Sequence, residues 1–80
     1  MRVIYPGSFD PITKGNLDII KRIAPKSEKV YVAILNNSTK NYLFSLEERV
    51  ELIRKSCEDI ENIEVVYCEG LLVDFAKKLN

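Results

Sequence analysis

The stretch Lys29–Asn36, KVYVAILN, sets the strongest limit on what this chain can fold into. It is almost continuously apolar and rich in β-branched residues, where a strand with one wet face would alternate. That is how a strand covered on both faces of a parallel sheet reads, and parallel strands need crossover helices. The flanking segments supply them. NLDIIKRIA carries Leu17, Ile20 and Ala24 at helical spacing, with Ile19 and Ile23 widening the stripe. Asp18 opens this helix and Lys21 and Arg22 close it, matching the macrodipole. Pro25 disfavours helical geometry at Ala24, so the helix is expected to be short. On the other side, Ser45 and Glu48 make an S-x-x-E capping box for a helix with the stripe Leu46, Val50, Ile53 and Cys57. Glu51 and Lys55 are placed for an i,i+4 pair on its outer face.

The same alternation runs through the rest of the chain. RVIY is a short apolar run stopped by the turn signal Pro6-Gly7. NIEVVYC reads as a third strand whose partial alternation suits a position nearer an edge. Glu69-Gly70 then turns the chain into LLVDFAKKL, with Leu72, Phe75, Ala76 and Leu79 on one face. Three strand–helix units in sequence predict an α/β fold with a parallel sheet and right-handed crossovers, half of a Rossmann-like doubly wound domain. Ligands of such folds sit outside the carboxyl ends of the strands, where the loops PGSFDPITKG, NSTKNYLF and EG fall. The chain stops after its third helix, where a further strand should pair with the first. Residues 1–80 are therefore expected to be a single partial domain, a fragment of a longer protein or a unit whose open edge is covered by another chain. Self-association as a homo-oligomer follows from the second possibility.

Composition narrows the chemistry. Twelve basic and twelve acidic residues cancel, so nothing in the overall charge calls for nucleic acid or an anionic membrane surface as partner. Any affinity for phosphate must come from a local site. No apolar run approaches the ~18 residues of a membrane span. Cys57 and Cys68 form no metal or redox spacing and read as buried or half-buried thiols in a reducing cytosol, which predicts a cytoplasmic protein. The chain has no histidine, so histidine catalysis and His-rich metal sites are excluded.

The first loop, YPGSFDPITKGN, carries the chemistry. Pro6 and Gly7 are expected to turn the chain at the end of a buried strand. Ser8 and Phe9 can then offer backbone N–H groups, and Ser8 its hydroxyl, to a ligand. Thr13-Lys14-Gly15 leads into a helix N-terminus, where unpaired N–H groups and the dipole attract anions. Gly15 permits close backbone approach to phosphate. The plain alternative is an ordinary connection with Asn16 as N-cap. Lys40, in the next loop at the same end of the sheet, is a candidate cation for the same phosphate.

Taken together, YPGSFDPITKGN, KNYLFSLEERVELI and EGLLVDFAKK resemble the phosphopantetheine adenylyltransferase family, within the T/H-x-G-H nucleotidylyltransferase superfamily. The resemblance covers all of this chain and about the first half of a family member. It implies transfer of the adenylyl group of Mg-ATP to 4′-phosphopantetheine, giving dephospho-coenzyme A and pyrophosphate without a covalent enzyme intermediate. Catalysis would be positioning plus stabilisation of phosphate charge. By position, Ser8 would contact the phosphates of both substrates and the Phe9 amide those of ATP. Lys40 would neutralise charge developing between the substrates. Leu71 and Leu72 would line the pantetheine arm with Asp74 nearby, although Leu72 also belongs to the apolar stripe. Mg²⁺ would arrive with ATP, and no protein metal site is implied.

Two departures bear on activity. The family motif T-x-G-H reads Thr13-Lys14-Gly15-Asn16 here, so the catalytic histidine's place is held by Asn16, which can donate a hydrogen bond but never carries charge. By analogy with loss of one oxyanion donor, this costs roughly 10²–10³ in rate. The family's second half, with its arginine and serine-rich helix start for the triphosphate and adenine, has no counterpart in this sequence. A smaller departure is APKSEKV, where Ser27 stands in place of the family's aromatic and predicts either a gap or an altered turn. The expected function is impaired adenylyl transfer. The alternatives are a non-catalytic phosphate- or pantetheine-binding module and a self-associating half-domain.

Overall fold

The computed structural model describes residues 1–37 and 41–69. Within them the chain runs β1 (Arg2–Gly7), α1 (Lys14–Ile23), a 3-10 turn (Ala24–Lys26), β2 (Lys29–Asn36), α2 (Leu46–Ser56) and β3 (Ile63–Glu69). All strand pairs are parallel, in the order β1-β2-β3. The expected α/β architecture is thus present, with two of its helices; the third predicted helix falls outside the described residues.

β2 is central, and Val30–Ile34 are all buried, as its uninterrupted apolar run predicts. Val30, Val32 and Ile34 point to one face, where they join Ile20 and Ala24 at α1 and its cap with Ile53 and Cys57 of α2 and its cap. Both helices therefore cover the same side of the sheet. On the opposite face Ala33 is buried among Ile4, Leu35 and Val66. The buried Cys57 thiol has its pKa raised by loss of water, with Asp59 adding to the shift and Lys21 opposing it. Its folded pKa exceeds the unfolded one, so this contribution is fully present below the ordinary thiol pKa and is lost as pH rises from there through the raised folded pKa.

Several sequence expectations change at the element ends. β1 does not stop at Pro6-Gly7: both residues stay in register, opposite Ala33 and Ile34. Proline is tolerated because β1 lies at an edge of the described sheet, where a ladder donor can be missing. Ala24 keeps helical φ and ψ despite Pro25, and the proline occupies the start of the 3-10 turn, where it needs no N–H. Asp18 does not open α1, whose first turn holds no acidic residue; it pairs with Arg22 at 3.1 Å. Ile19 stays exposed rather than widening the buried stripe. On α2 the Ser45–Glu48 capping box forms as expected, with bonds of 3.0 and 3.1 Å. The Glu51–Lys55 ion pair does not form.

Ser27 closes the 3-10 turn, its amide donating to the Ala24 carbonyl at 3.1 Å. Its hydroxyl donates to the Ile23 carbonyl at 2.7 Å. Asn62 then donates to the Ala24 and Ser27 carbonyls at 2.8 and 2.9 Å, closing the connection between α1 and β2 from the far side of the chain.

Candidate functional site

The site forms where β1 and β2 end. Beyond Gly7 the chain reverses at Phe9, which holds a left-handed φ of 48°. For a residue with a large side chain that backbone costs about 1–3 kcal/mol. Burial of the ring, worth about 1.5–3 kcal/mol, offsets it. The ring meets Tyr5 edge-on with centroids 5.7 Å apart. It also passes so close to Gly7 that a Cβ there would lie 3.1 Å from Phe9 Cζ, which is the packing reason for glycine at that position. Phe9 is thus anchored in the core while Ser8, before it, stays exposed.

Asp10 ties this turn to the second loop. Its carboxylate accepts the Leu43 amide at 2.6 Å and the Phe44 amide at 2.8 Å. Charge-assisted bonds of this kind are roughly twice as strong as neutral ones. Asp10→Ala should therefore cost about 2–3 kcal/mol and loosen residues 41–44, seen as faster amide exchange at Leu43 and Phe44 with the α1 amides unchanged. Equal acceleration at both places would mean global rather than local loss.

Thr13, not Asn16, is the N-cap of α1. Its hydroxyl accepts the Asn16 amide at 3.2 Å, and Asn16 Oδ1 accepts the Thr13 amide at 3.0 Å, completing a capping box. The Thr13 hydroxyl also donates to Asn16 Oδ1 at 2.8 Å, and Asn16 Nδ2 donates to the Tyr5 hydroxyl at 3.0 Å. Asn16 is therefore engaged on both ends of its amide. Gly15 has open space: an added Cβ would meet nothing closer than Thr13 Oγ1 at 3.7 Å. Packing alone does not require glycine here. Gly15→Ala should leave the fold intact and raise stability by about 0.5–1 kcal/mol, while weakening pyrophosphate binding if the approach over this helix end is used. Unchanged pyrophosphate affinity would remove Gly15 from the site.

Arg49 is the buried charge at this end of the sheet that the sequence reading missed. It is 1% exposed and reaches three segments at once. Nη1 donates to the Ser8 carbonyl at 3.1 Å, Nη2 to Asn36 Oδ1 at 2.6 Å and Nε to the Ser45 carbonyl at 3.4 Å. The Tyr42 ring lies 4.0 Å from the guanidinium carbon. A signal was available: Arg49 sits between Leu46 and Ile53 on the buried stripe of α2, where a charged residue is unexpected. An open cleft of about 330 Å³ lies over Asn36, Tyr42, Phe44 and Arg49 at this end of the sheet.

The structure thus brings Ser8, Phe9, Gly15 and Asn16 into one loop and helix start, with Arg49 fixed against the Ser8 carbonyl. Lys40, Leu71, Leu72 and Asp74 lie outside the described residues. Among the described residues no three His, Cys, Asp or Glu side chains converge in a way that would hold a metal ion, and no helix is long and apolar enough to cross a membrane.

A family model described as cytidylyltransferase-like matches residues 4–80. Among curated proteins, a phosphopantetheine adenylyltransferase of Caldanaerobacter subterraneus subsp. tengcongensis is 57% identical, covering 100% of this chain and 51% of its own length. That of Clostridium beijerinckii is 60% identical over 98% of this chain and 50% of its own length. That of Finegoldia magna is 51% identical over 98% of this chain and 48% of its own length. The chain spans about half the length of the curated relatives it matches.

Proposed function

We infer the reaction from one premise: this chain belongs to the cytidylyltransferase-like family. It carries part of the machinery for adenylyl transfer from Mg-ATP to 4′-phosphopantetheine. A phosphate oxygen of phosphopantetheine attacks the α-phosphorus of ATP, the bond to the bridging oxygen breaks, and pyrophosphate leaves as dephospho-coenzyme A forms. No nucleophilic side chain is needed. Catalysis rests on holding two phosphates in line and stabilising their charge.

The observation that carries this reading is the turn at the carboxyl end of β1. Phe9 is locked in a left-handed conformation and a helix N-terminus free of carboxylates follows it. Both features suit phosphate oxygens. The relatives named phosphopantetheine adenylyltransferase support the choice of substrates. Ser8 and the Phe9 amide take the phosphates, and Lys40 adds a charge between the substrates. Leu71, Leu72 and Asp74 border the pantetheine arm, and Mg²⁺ enters with ATP. Turnover by this chain is slow, because Asn16 offers no charge.

A second reading, a binding module without turnover, is favoured by one detail. Asn16 spends its amide on Thr13 and Tyr5, so anion binding is retained better than catalysis. Calorimetric titration with ATP and with 4′-phosphopantetheine, followed by pyrophosphate release with both, separates the cases. Slow release supports the enzyme, binding without release supports the module, and silence toward both ligands sinks both. The edge position of β1 in the described sheet supports self-association as well, against which a stable monomer in sedimentation would count.

A further inference from the structure

Among the described residues, Arg49 is a buried cation without a buried anion. None of the ion pairs among the described residues includes it. Two carboxylates of the same region are engaged elsewhere: Asp10 takes the Leu43 and Phe44 amides, and Glu48 caps α2. A guanidinium taken out of water with no counter-charge is unfavourable. An aliphatic residue would fill the α2 stripe without that cost, so packing does not explain the arginine.

Its bond to Ser8 does. The Ser8 carbonyl, which accepts Nη1 at 3.1 Å, belongs to the same peptide unit as the Phe9 N–H. That unit is trans, since the cis bond among the described residues is Asp10–Pro11. In a trans unit C=O and N–H point to opposite sides. Arg49 thus fixes the plane of the unit from behind and directs the Phe9 N–H away from itself. A cationic donor on the carbonyl also draws electron density from the amide and strengthens its N–H as a donor. The Phe9 N–H meets no acceptor among the described residues. The groups that hold the guanidinium, Asn36 and Tyr42, are uncharged side chains in this contact and leave its field intact.

We propose that Arg49 is a positioning residue of the phosphate site: it aims and polarises the Phe9 amide toward an incoming phosphate and supplies the fixed positive field that Asn16 lacks. The inference rests on the reading above, that this turn receives phosphate.

Asn36→Asp tests it without removing the arginine. The substitution keeps an acceptor where Oδ1 now stands, 2.6 Å from Nη2, but places a negative charge on the guanidinium. Inorganic pyrophosphate is titrated calorimetrically into the 80-residue chain at fixed ionic strength, with thermal unfolding measured alongside. Asn36→Asp should bind pyrophosphate about tenfold more weakly while melting at or above the wild-type temperature. Asn36→Ala, which loses the acceptor and keeps the charge, should melt lower yet bind within about threefold of wild type. Affinity and stability then run in opposite orders, which a purely structural role would not produce. A wild-type chain that binds while Asn36→Asp binds equally well overturns this inference alone. A wild-type chain that binds no pyrophosphate overturns the phosphate reading and this inference with it. Should Asn36→Asp not fold, Arg49→Lys and Arg49→Gln give the same comparison: the neutral variant should lose more affinity than the charged one, and equal losses refute the proposal.

Discussion

Arg49→Ala should lower the melting temperature of this chain by about 12–24 °C, the shift that ~3 kcal/mol produces in a domain of this size. The magnitude follows from what the guanidinium satisfies. Its removal strands the Ser8 carbonyl and takes a bond each from Asn36 Oδ1 and from the Ser45 carbonyl, which keeps the residue-49 amide at 3.0 Å. A buried acceptor left without its donor costs about 1–3 kcal/mol. The side chain's apolar stem is lost from the α2 stripe as well. A domain of 80 residues has about 4–12 kcal/mol of stability in all, so the variant should sit near the edge of folding at room temperature. Arg54→Ala, at an exposed position of the same helix, should change stability by no more than about 0.5 kcal/mol and serves as the control. Thermal unfolding followed by circular dichroism decides it. A shift for Arg49→Ala as small as that for Arg54→Ala would mean that the three bonds are replaced by water at no cost.

The contrast between those two arginines shows what could be read from the sequence. Periodicity finds residues that repeat a pattern. KVYVAILN announced a strand covered on both faces, and β2 spans those same residues. Ser45 and Glu48 announced a helix start, because a capping box is complete within four residues. Arg49 breaks the pattern it sits in, and beyond its own helix cap its partners lie on two other segments, Asn36 at 13 residues and Ser8 at 41 residues away. No local rule links an arginine on a helix to a carbonyl in a distant turn. Asp10 was hidden for the same reason: its partners Leu43 and Phe44 are 33 and 34 residues on. The left-handed Phe9 was hidden in a different way. A Pro-Gly pair is a turn signal, and so the turn was expected at Pro6-Gly7. The fold instead keeps Gly7 in the strand to clear the Phe9 ring, and moves the reversal to Phe9. The loop and the helix start after it were legible; what braces the loop was not.

Asn16 gives the second large effect. Replacing it with histidine should raise pyrophosphate release from ATP and 4′-phosphopantetheine by roughly 10²–10³-fold, the worth of one well-placed donor at developing phosphate charge. The structure says what the change gives up. Asn16 Oδ1 closes the α1 capping box and Nδ2 reaches the Tyr5 hydroxyl. Loss of the N3 half of the box, with the Thr13 N-cap kept, costs up to about 1 kcal/mol, so the histidine variant should melt up to about 4–8 °C lower even as it gains activity. The pH dependence has a definite sign. An imidazole at a helix N-terminus is less basic when the site is empty, because the dipole opposes its charge; bound phosphate favours the charged form. The gain in pyrophosphate affinity over wild type should therefore be largest below about pH 6.5 and fade above it, the wild-type chain, which has no histidine, supplying the reference for pyrophosphate's own titration. Calorimetric affinity across pH 5.5–8 and turnover at saturating substrates are both needed, since each reports a different half of the claim. A pH-dependent affinity gain without faster turnover would place the catalytic limit outside Asn16. Neither effect would show that the amide of Asn16 already supplies all that this position contributes, and that the capping box, rather than the phosphate, is its function.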